Sequence, residues 1–219
     1  MKVLVAGATG RTGAKIVEEL VNREIPVKAL VRDLAKGQQM LSTQVELVVG
    51  DVLQPQSLAT AVSGCSVLIC ATGAKPSFNP TEPLRVDFLG TKNLVDTAKE
   101  NGIRHFVLVS SLCVSKFFHP LNLFWLILVW KKQGEKYLQK SGLTYTIVRP
   151  GGLNKEDNSD PIIMSSADTL FAKSIPRAKV AQVCVEALLK TSAQNKIVEV
   201  ITDSMARSKS WEQLFADVA

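Results

Sequence analysis

With 219 residues, 46% of them hydrophobic and 21% charged, the chain has the size and composition of one α/β domain with a large core. Its formal charge of +6 comes from basic residues scattered in pairs such as Lys131-Lys132, without interleaved aromatics, which argues against a nucleic-acid surface and for a solvated basic face. The four cysteines (Cys65, Cys70, Cys113, Cys184) form no CxxC pair and, with His105 and His119, offer no metal-ligand spacing, so no metal is expected and reduced thiols in a cytoplasmic protein are.

Along the chain, the apolar run 3–6 reads as a first strand, and because it starts right after Lys2 no signal peptide is expected. Residues 12–24 follow as a helix with Ile16, Val17 and Leu20 on one face. Strands are expected at 27–31, 45–49 and 66–70, with a short helix at 58–63 between the last two. A long helix at 83–101 carries Val86, Leu89, Leu94, Val95 and Ala98, and is followed by a strand at 105–110, a helix at 123–140 and a sixth strand at 144–148. Asn101-Gly102 and Ser141-Gly142 have the form of helix stops. Strands this continuously apolar are buried on both faces. The expected fold is therefore α/β, a single-domain doubly wound (Rossmann) parallel sheet over 1–219 with helices on both faces and ligands at the carboxyl ends of the strands.

Beyond the sixth strand, 154–164 is polar, with Asp157, Asp160 and Pro161, and reads as part of a substrate flap at about 153–175. The elements at 177–219 are a helix at 177–190, a strand at 196–202 and a terminal helix at 211–219. The apolar stretch 121–130 is ten residues, too short to span a membrane, which takes about 20. Its simplest reading is the buried half of a helix whose second half is exposed. The aromatics Phe124, Trp125 and Trp130 also suit a peripheral membrane or protein contact through 123–130.

Gly7-Ala8-Thr9-Gly10-Arg11-Thr12-Gly13 lies at the junction of the first strand and helix. There Gly7 permits a tight turn, Gly10 lets the backbone approach a pyrophosphate, and Gly13 lets the helix pack close to the sheet; the helix N-terminus offers free N–H groups to phosphate. The second strand ends in Val31-Arg32-Asp33, which puts a guanidinium where a 2′-phosphate would sit, so NADP(H) is expected over NAD(H), with Asp33 pointing outward or capping the next turn. Arg11 would add a second charge. Gly50-Asp51-Val52 closes the third strand, where Asp51 either borders the adenine or caps a turn.

GATGRTG, ALVRD, VVGDVLQPQSL, ATGA, GTKNLVDTAKENG, HFVLVSS and YTIVRPGGL together resemble the atypical short-chain dehydrogenase/reductase family over nearly the whole chain. Within it, the segment from Asn122 to Leu153 looks like the branch of the NADP-binding domain of the chloroplast Tic-complex protein and its cyanobacterial relatives. A more distant similarity is to biliverdin-IXβ/flavin reductases. The resemblance implies that the cofactor's adenosine half is held by the glycine loop (Gly7, Thr9, Gly10, Arg11, Thr12, Gly13), Arg32, Asp51 and Val52. Ala71, Thr72 and Gly73 would touch the ribose; Ser110, Ser111, Pro150, Gly151 and Gly152 would flank the nicotinamide. The Tyr-x-x-x-Lys pair of better known members is missing, because Tyr137 and Lys140 have the wrong spacing. Without that acid, the suitable acceptors delocalise negative charge themselves: flavins, bilins or quinone-like dyes, with Ser111, Ser110, Lys131 and Lys132 as candidate donors. For the serines the alternative is a strand-end turn bond, and for the lysines a solvated helix face. The rival to a reductase is an NADP(H)-binding redox-sensing or assembly module with little turnover.

Overall fold

The computed structural model describes residues 1–74, 77–123 and 125–218. Its strands are β1 (Val3–Ala6), β2 (Val27–Val31), β3 (Glu46–Val49), β4 (Val67–Cys70), β5 (His105–Val109), β6 (Tyr145–Pro150), β7 (Gly152–Asn154), β8 (Ile162–Ser165), β9 (Ser174–Pro176) and β10 (Lys196–Thr202). The helices are α1 (Arg11–Asn22), α2 (Leu34–Met40), α3 (Pro55–Val62), α4 (Thr91–Glu100, entered through a π-helical turn at Leu84–Gly90), α5 (Ile127–Gln139), α6 (Arg177–Leu189) and α7 (Trp211–Ala216). The main sheet has the order β3-β2-β1-β4-β5-β6-β10-β8, parallel throughout except for β8, which runs antiparallel on β10.

Period-two alternation in the strands feeds two cores. Val3 and Val5 face Ile16, Val17 and Leu20 of α1, Val180, Val183 and Cys184 of α6, and Phe215 of α7. Leu4 and Ala6 face Leu58 of α3, Leu94, Val95 and Ala98 of α4, and Leu138 of α5. The doubly wound expectation therefore holds. The chain builds β1, β2 and β3 toward one edge, then returns to place β4, β5 and β6 on the other side of β1. Loops leaving β1 and β4 diverge at that reversal and open a crevice beyond the strand ends.

Several expectations need correction. α2 was not foreseen, since its single buried residue is Gly37 and it has no apolar stripe to read. Its start is set by Asp33, which accepts from Lys36 N at 3.1 Å, as the capping alternative required. The 153–175 segment carries strands that the sequence reading did not include, because β8 is the edge of the main sheet and β7 pairs with β9 in a separate ladder. The terminal helix stops at Ala216, and Ala219 lies outside the described residues.

The largest departure is at 121–130. α5 begins only at Ile127, after a 3-10 turn at Pro120–Leu123, and Trp125 and Leu126 have φ of 57° and 59°. Asn122 organises this entry: its Nδ2 donates to Phe117 O at 2.8 Å and its Oδ1 accepts from Leu128 N at 3.0 Å. The apolar run is therefore not a buried helix half; Phe118 (96% exposed) and Leu123 (84%) lead an exposed lip that also includes Phe117, Leu121, Trp125 and Leu126. Phe124 lies outside the described residues. Among the described residues no helix is long and apolar enough to cross a membrane.

His105, buried at the start of β5, gives a test of the core. Thr146 Oγ1 donates to Ala193 O at 2.7 Å, so at 2.9 Å it accepts from His105 Nε2, whose proton is thereby assigned. Burial lowers the imidazole pKa from 6.5 to about 4. The unfolded chain then binds the extra proton first, and stability is expected to fall by about 3 kcal/mol as the pH drops from 6.5 to 4. Urea melts of wild type and His105→Gln across that window check it; the same slope in both would contradict it.

Candidate functional site

β1 is followed directly by Gly7 with φ +83°, where a Cβ would lie 2.6 Å from Ala71 O, so the loops after β1 and β4 touch only because this residue has no side chain. At Gly13 a Cβ would lie 2.1 Å from Gly7 O, so α1 could not pack against its own turn. Gly10 is the N-cap of α1. No side chain caps that helix, and its first turn carries no acid, which leaves a helix N-terminus suited to an anion.

In front of this turn lies a cleft of about 370 Å³, within the usual range of ligand sites. Of the expected cofactor residues, Gly7, Thr9, Gly10, Arg32, Asp51, Val52, Ala71, Thr72 and Gly73 line it. Arg32 is joined there by Lys36, which sequence reasoning missed because α2 was unrecognised; neither is ion-paired among the described residues. Asp51 combines its two readings: it lines the cleft, and its Oδ1 accepts from Leu53 N at 2.9 Å. Arg11, Thr12 and Gly13 lie on α1 beside the cleft rather than in its lining. A glycine turn that a Cβ would fill and a cationic mouth after β2 fit a dinucleotide phosphate ester.

Across the β1/β4 reversal, β5 and β6 present the other group. Pro150 ends β6 and its carbonyl accepts from Leu112 N at 3.0 Å, while Gly151 N donates to Val200 O and Gly152 N to Lys173 O at 2.9 and 3.1 Å. They therefore sit beside the serine end of β5, apart from the cleft. Ser110 Oγ is buried with no hydrogen-bond partner, which removes the turn-bond reading for it. It borders a void of about 10 Å³, room for about one water, with Thr72, Asp87, Thr91 and Lys131. Ser111, half-buried one residue on, is not among these lining residues.

The two lysines part here. Lys131 is no solvated helix residue: its Nζ lies 2.8 Å from Asp87 Oδ1, and Asp87, 3% exposed, accepts from Ala74 N at 3.2 Å through Oδ2. Burial alone would lower the Lys131 pKa, but the Asp87 carboxylate outweighs it and holds the ammonium above its ordinary 10.5. Lys132 instead has Glu135 as its partner, 3.6 Å from its Oε2, and it does not line the void as the candidate-donor reading would require. The chain's two tyrosines are engaged elsewhere, Tyr137 OH with Asp96 at 2.6 Å and Tyr145 OH with Gln139 at 3.4 Å, so no phenol stands with Lys131.

Asp87 was not anticipated, although a carboxylate inside an apolar helix face was a readable signal. Arg149 was missed too. Fully buried in β6, it makes a two-pronged pair with Glu135 at 2.9 and 2.7 Å and reaches Asp168 at 3.0 Å and Glu199 at 3.3 Å. Glu199 in turn accepts the N–H groups of Asp168, Thr169 and Leu170 at 2.9, 3.1 and 2.7 Å. This cluster ties the segment after β8 to β6, β10 and the helix that carries Lys131.

An open sheet with its crevice at such a reversal is the frame of nicotinamide-dinucleotide oxidoreductases. A family model described as NAD(P)H-binding matches residues 7–191. The chain belongs to that family, as an NAD(P)H-dependent oxidoreductase of the atypical short-chain dehydrogenase/reductase type. Similar proteins include an uncharacterized chloroplastic protein of Arabidopsis thaliana, 44% identical over 99% of this chain and 82% of its own. Sanguinarine reductase of Eschscholzia californica is 34% identical over 91% of this chain and 88% of its own. The chloroplastic TIC 62 of Pisum sativum is 35% identical over 99% of this chain, which spans 46% of that relative's length. A putative NAD-dependent epimerase/dehydratase of Bacillus halodurans superposes with a TM-score of 0.87 at 26% identity, covering 99% of both chains. The cytoplasmic expectation does not stand, since the Arabidopsis and pea relatives are chloroplastic proteins.

Proposed function

We propose that the protein is an NADPH-dependent reductase of flat conjugated acceptors, of the flavin, bilin or quinone-like kind, and that it works in the chloroplast. The observation that carries this reading is the largely enclosed Lys131 ammonium, paired with buried Asp87, beside an unpartnered Ser110 hydroxyl, with no phenol at hand. Such a site stabilises negative charge but lacks a ready acid, which suits acceptors that delocalise the incoming electron pair and take a proton from water. In this reading Arg32 and Lys36 hold the 2′-phosphate, while the glycine turn and the Ala71–Gly73 loop seat the adenosine half; Pro150, Gly151 and Gly152 flank the nicotinamide. The reduced nicotinamide, when bound, supplies the hydride. Lys131, fixed by Asp87, would supply a constant positive charge beside the acceptor, and Ser110 Oγ would reach that acceptor through the single water its void can hold. Sanguinarine reductase, a relative whose name denotes a reductase, supports the reaction class.

The test is acceptor-dependent loss of NADPH absorbance with FMN, dichlorophenol-indophenol, biliverdin and a simple ketone. Turnover with the conjugated acceptors and none with the ketone is expected; the reverse would refute the reading. Ser110→Ala should lower turnover about tenfold and leave NADPH affinity nearly constant, because one neutral donor is lost where charge develops only during reaction. Stopped-flow traces of preloaded wild type and variant check this, and an equal loss in Ser111→Ala alone would move the role to that residue.

A second reading rests on the exposed lip of Phe117, Phe118, Leu123 and Trp125. It makes the chain an NADP(H)-binding redox-sensing or assembly module that docks a membrane or photosynthetic partner through that lip. Tight NADPH binding without acceptor-dependent turnover would favour it.

A further inference from the structure

We propose that Arg11 and Arg177 form one anion site that grips the diphosphate of the dinucleotide from the α6 side of the glycine turn. The inference rests on the cofactor lying across β1 and β4 as proposed above. α1 starts at Arg11 and α6 at Arg177; both helices lead into parallel strands of one sheet and pack on the same face, so their N-termini meet beyond the same strand ends.

Neither helix has a capping side chain or an acid in its first turn, and neither arginine is ion-paired among the described residues. Arg177 Nη1 donates to Asn154 O at 2.8 Å, which aims the guanidinium along the β7–β9 ladder, yet its Nε is buried with no partner at all. Burial first, and then the charge of Arg11, hold this guanidinium below its ordinary pKa. Two helix N-termini and two guanidiniums thus converge with no acid in either first turn. A buried donor without an acceptor is costly, and two like charges side by side repel. A diphosphate at the glycine turn supplies both the acceptor oxygens and the countercharge. Asn154 belongs to the strand that continues from Gly151-Gly152, so the same contact would draw that loop toward the cofactor.

The experiment measures Kd by NAD(P)H fluorescence for NADPH and NADH, with adenosine 2′-monophosphate as a competitor, on wild type, Arg177→Gln, Arg177→Lys and Arg11→Gln. Arg177→Gln and Arg11→Gln are each expected to weaken NADPH and NADH by the same factor, about tenfold, because both dinucleotides carry the diphosphate. Arg177→Lys should recover part of the loss, and adenosine 2′-monophosphate should bind all four proteins alike. Without ligand, Arg177→Gln should melt no lower than wild type, since it relieves a repulsion, a result that a purely structural arginine would not give. Wild-type affinity for both dinucleotides in Arg177→Gln and Arg11→Gln would overturn the proposal. So would a loss confined to NADPH and adenosine 2′-monophosphate, which would place the contact at the 2′-phosphate. If Arg177→Gln fails to fold, the exposed Arg11→Gln decides by the same criteria. A wild type that binds neither dinucleotide would instead overturn the proposed function itself.

Discussion

Lys131→Met is expected to cut acceptor-dependent NADPH turnover by about 10²–10³-fold, the usual scale for removing a preorganised group that stabilises developing charge. NADPH affinity should change far less, so the loss should appear in kcat. The same substitution leaves Asp87 buried without its cation, and breaking such a pair costs about 3–5 kcal/mol of stability. A second substitution separates these effects. Lys131→Met with Asp87→Asn removes the stranded charge and should regain most of the stability while turnover stays low. Recovery of both would make Lys131 a structural partner only. Because Asp87 holds the ammonium above 10.5, the charge is complete below that pH and is lost only as the pH rises through the raised value. Wild-type turnover should accordingly show no lysine titration near neutrality.

Arg32→Ala is expected to weaken NADPH by about 10–100-fold and NADH hardly at all, because a charge-assisted contact to phosphate contributes about 1.5–3 kcal/mol and only NADPH has the 2′-phosphate. Lys36→Ala should act in the same direction with a smaller effect, since its ammonium is a point charge where the guanidinium is a fork. Fluorescence titrations of both cofactors against the variants read this directly. Equal losses for the two would show that Arg32 supports the fold around Asp33 and α2 instead.

The sheet was legible because parallel strands such as Val3–Ala6 and Val67–Cys70 are short, continuous apolar runs, and because the glycines of 7–13 answer steric demands that a sequence displays. What stayed hidden depended on partners far apart in the chain. Arg149 meets Glu135, Asp168 and Glu199 at separations of 14, 19 and 50 residues, and no local pattern announces such a cluster. Asp87 reads as a break in a helix until Lys131 is set against it. Hydrophobicity alone misjudged 121–130: Asn122's side-chain bonds and the left-handed Trp125 and Leu126 delay the helix and leave its apolar lead-in exposed. At the cleft, Arg32 was readable from its place after a strand, but Lys36 required the short helix that Asp33 caps.

Hydride transfer to an acceptor bound at the Ser110–Lys131 end of the crevice is the core of the proposed function. Its most direct test is a single-turnover stopped-flow comparison of protein preloaded with NADPH deuterated at one or the other C4 position, mixed with saturating FMN. Oxidation that depends on FMN and is slowed by deuterium at only one of the two positions is the predicted result. Tightly bound NADPH that persists unchanged on mixing with FMN, and equally with dichlorophenol-indophenol and biliverdin, would contradict it.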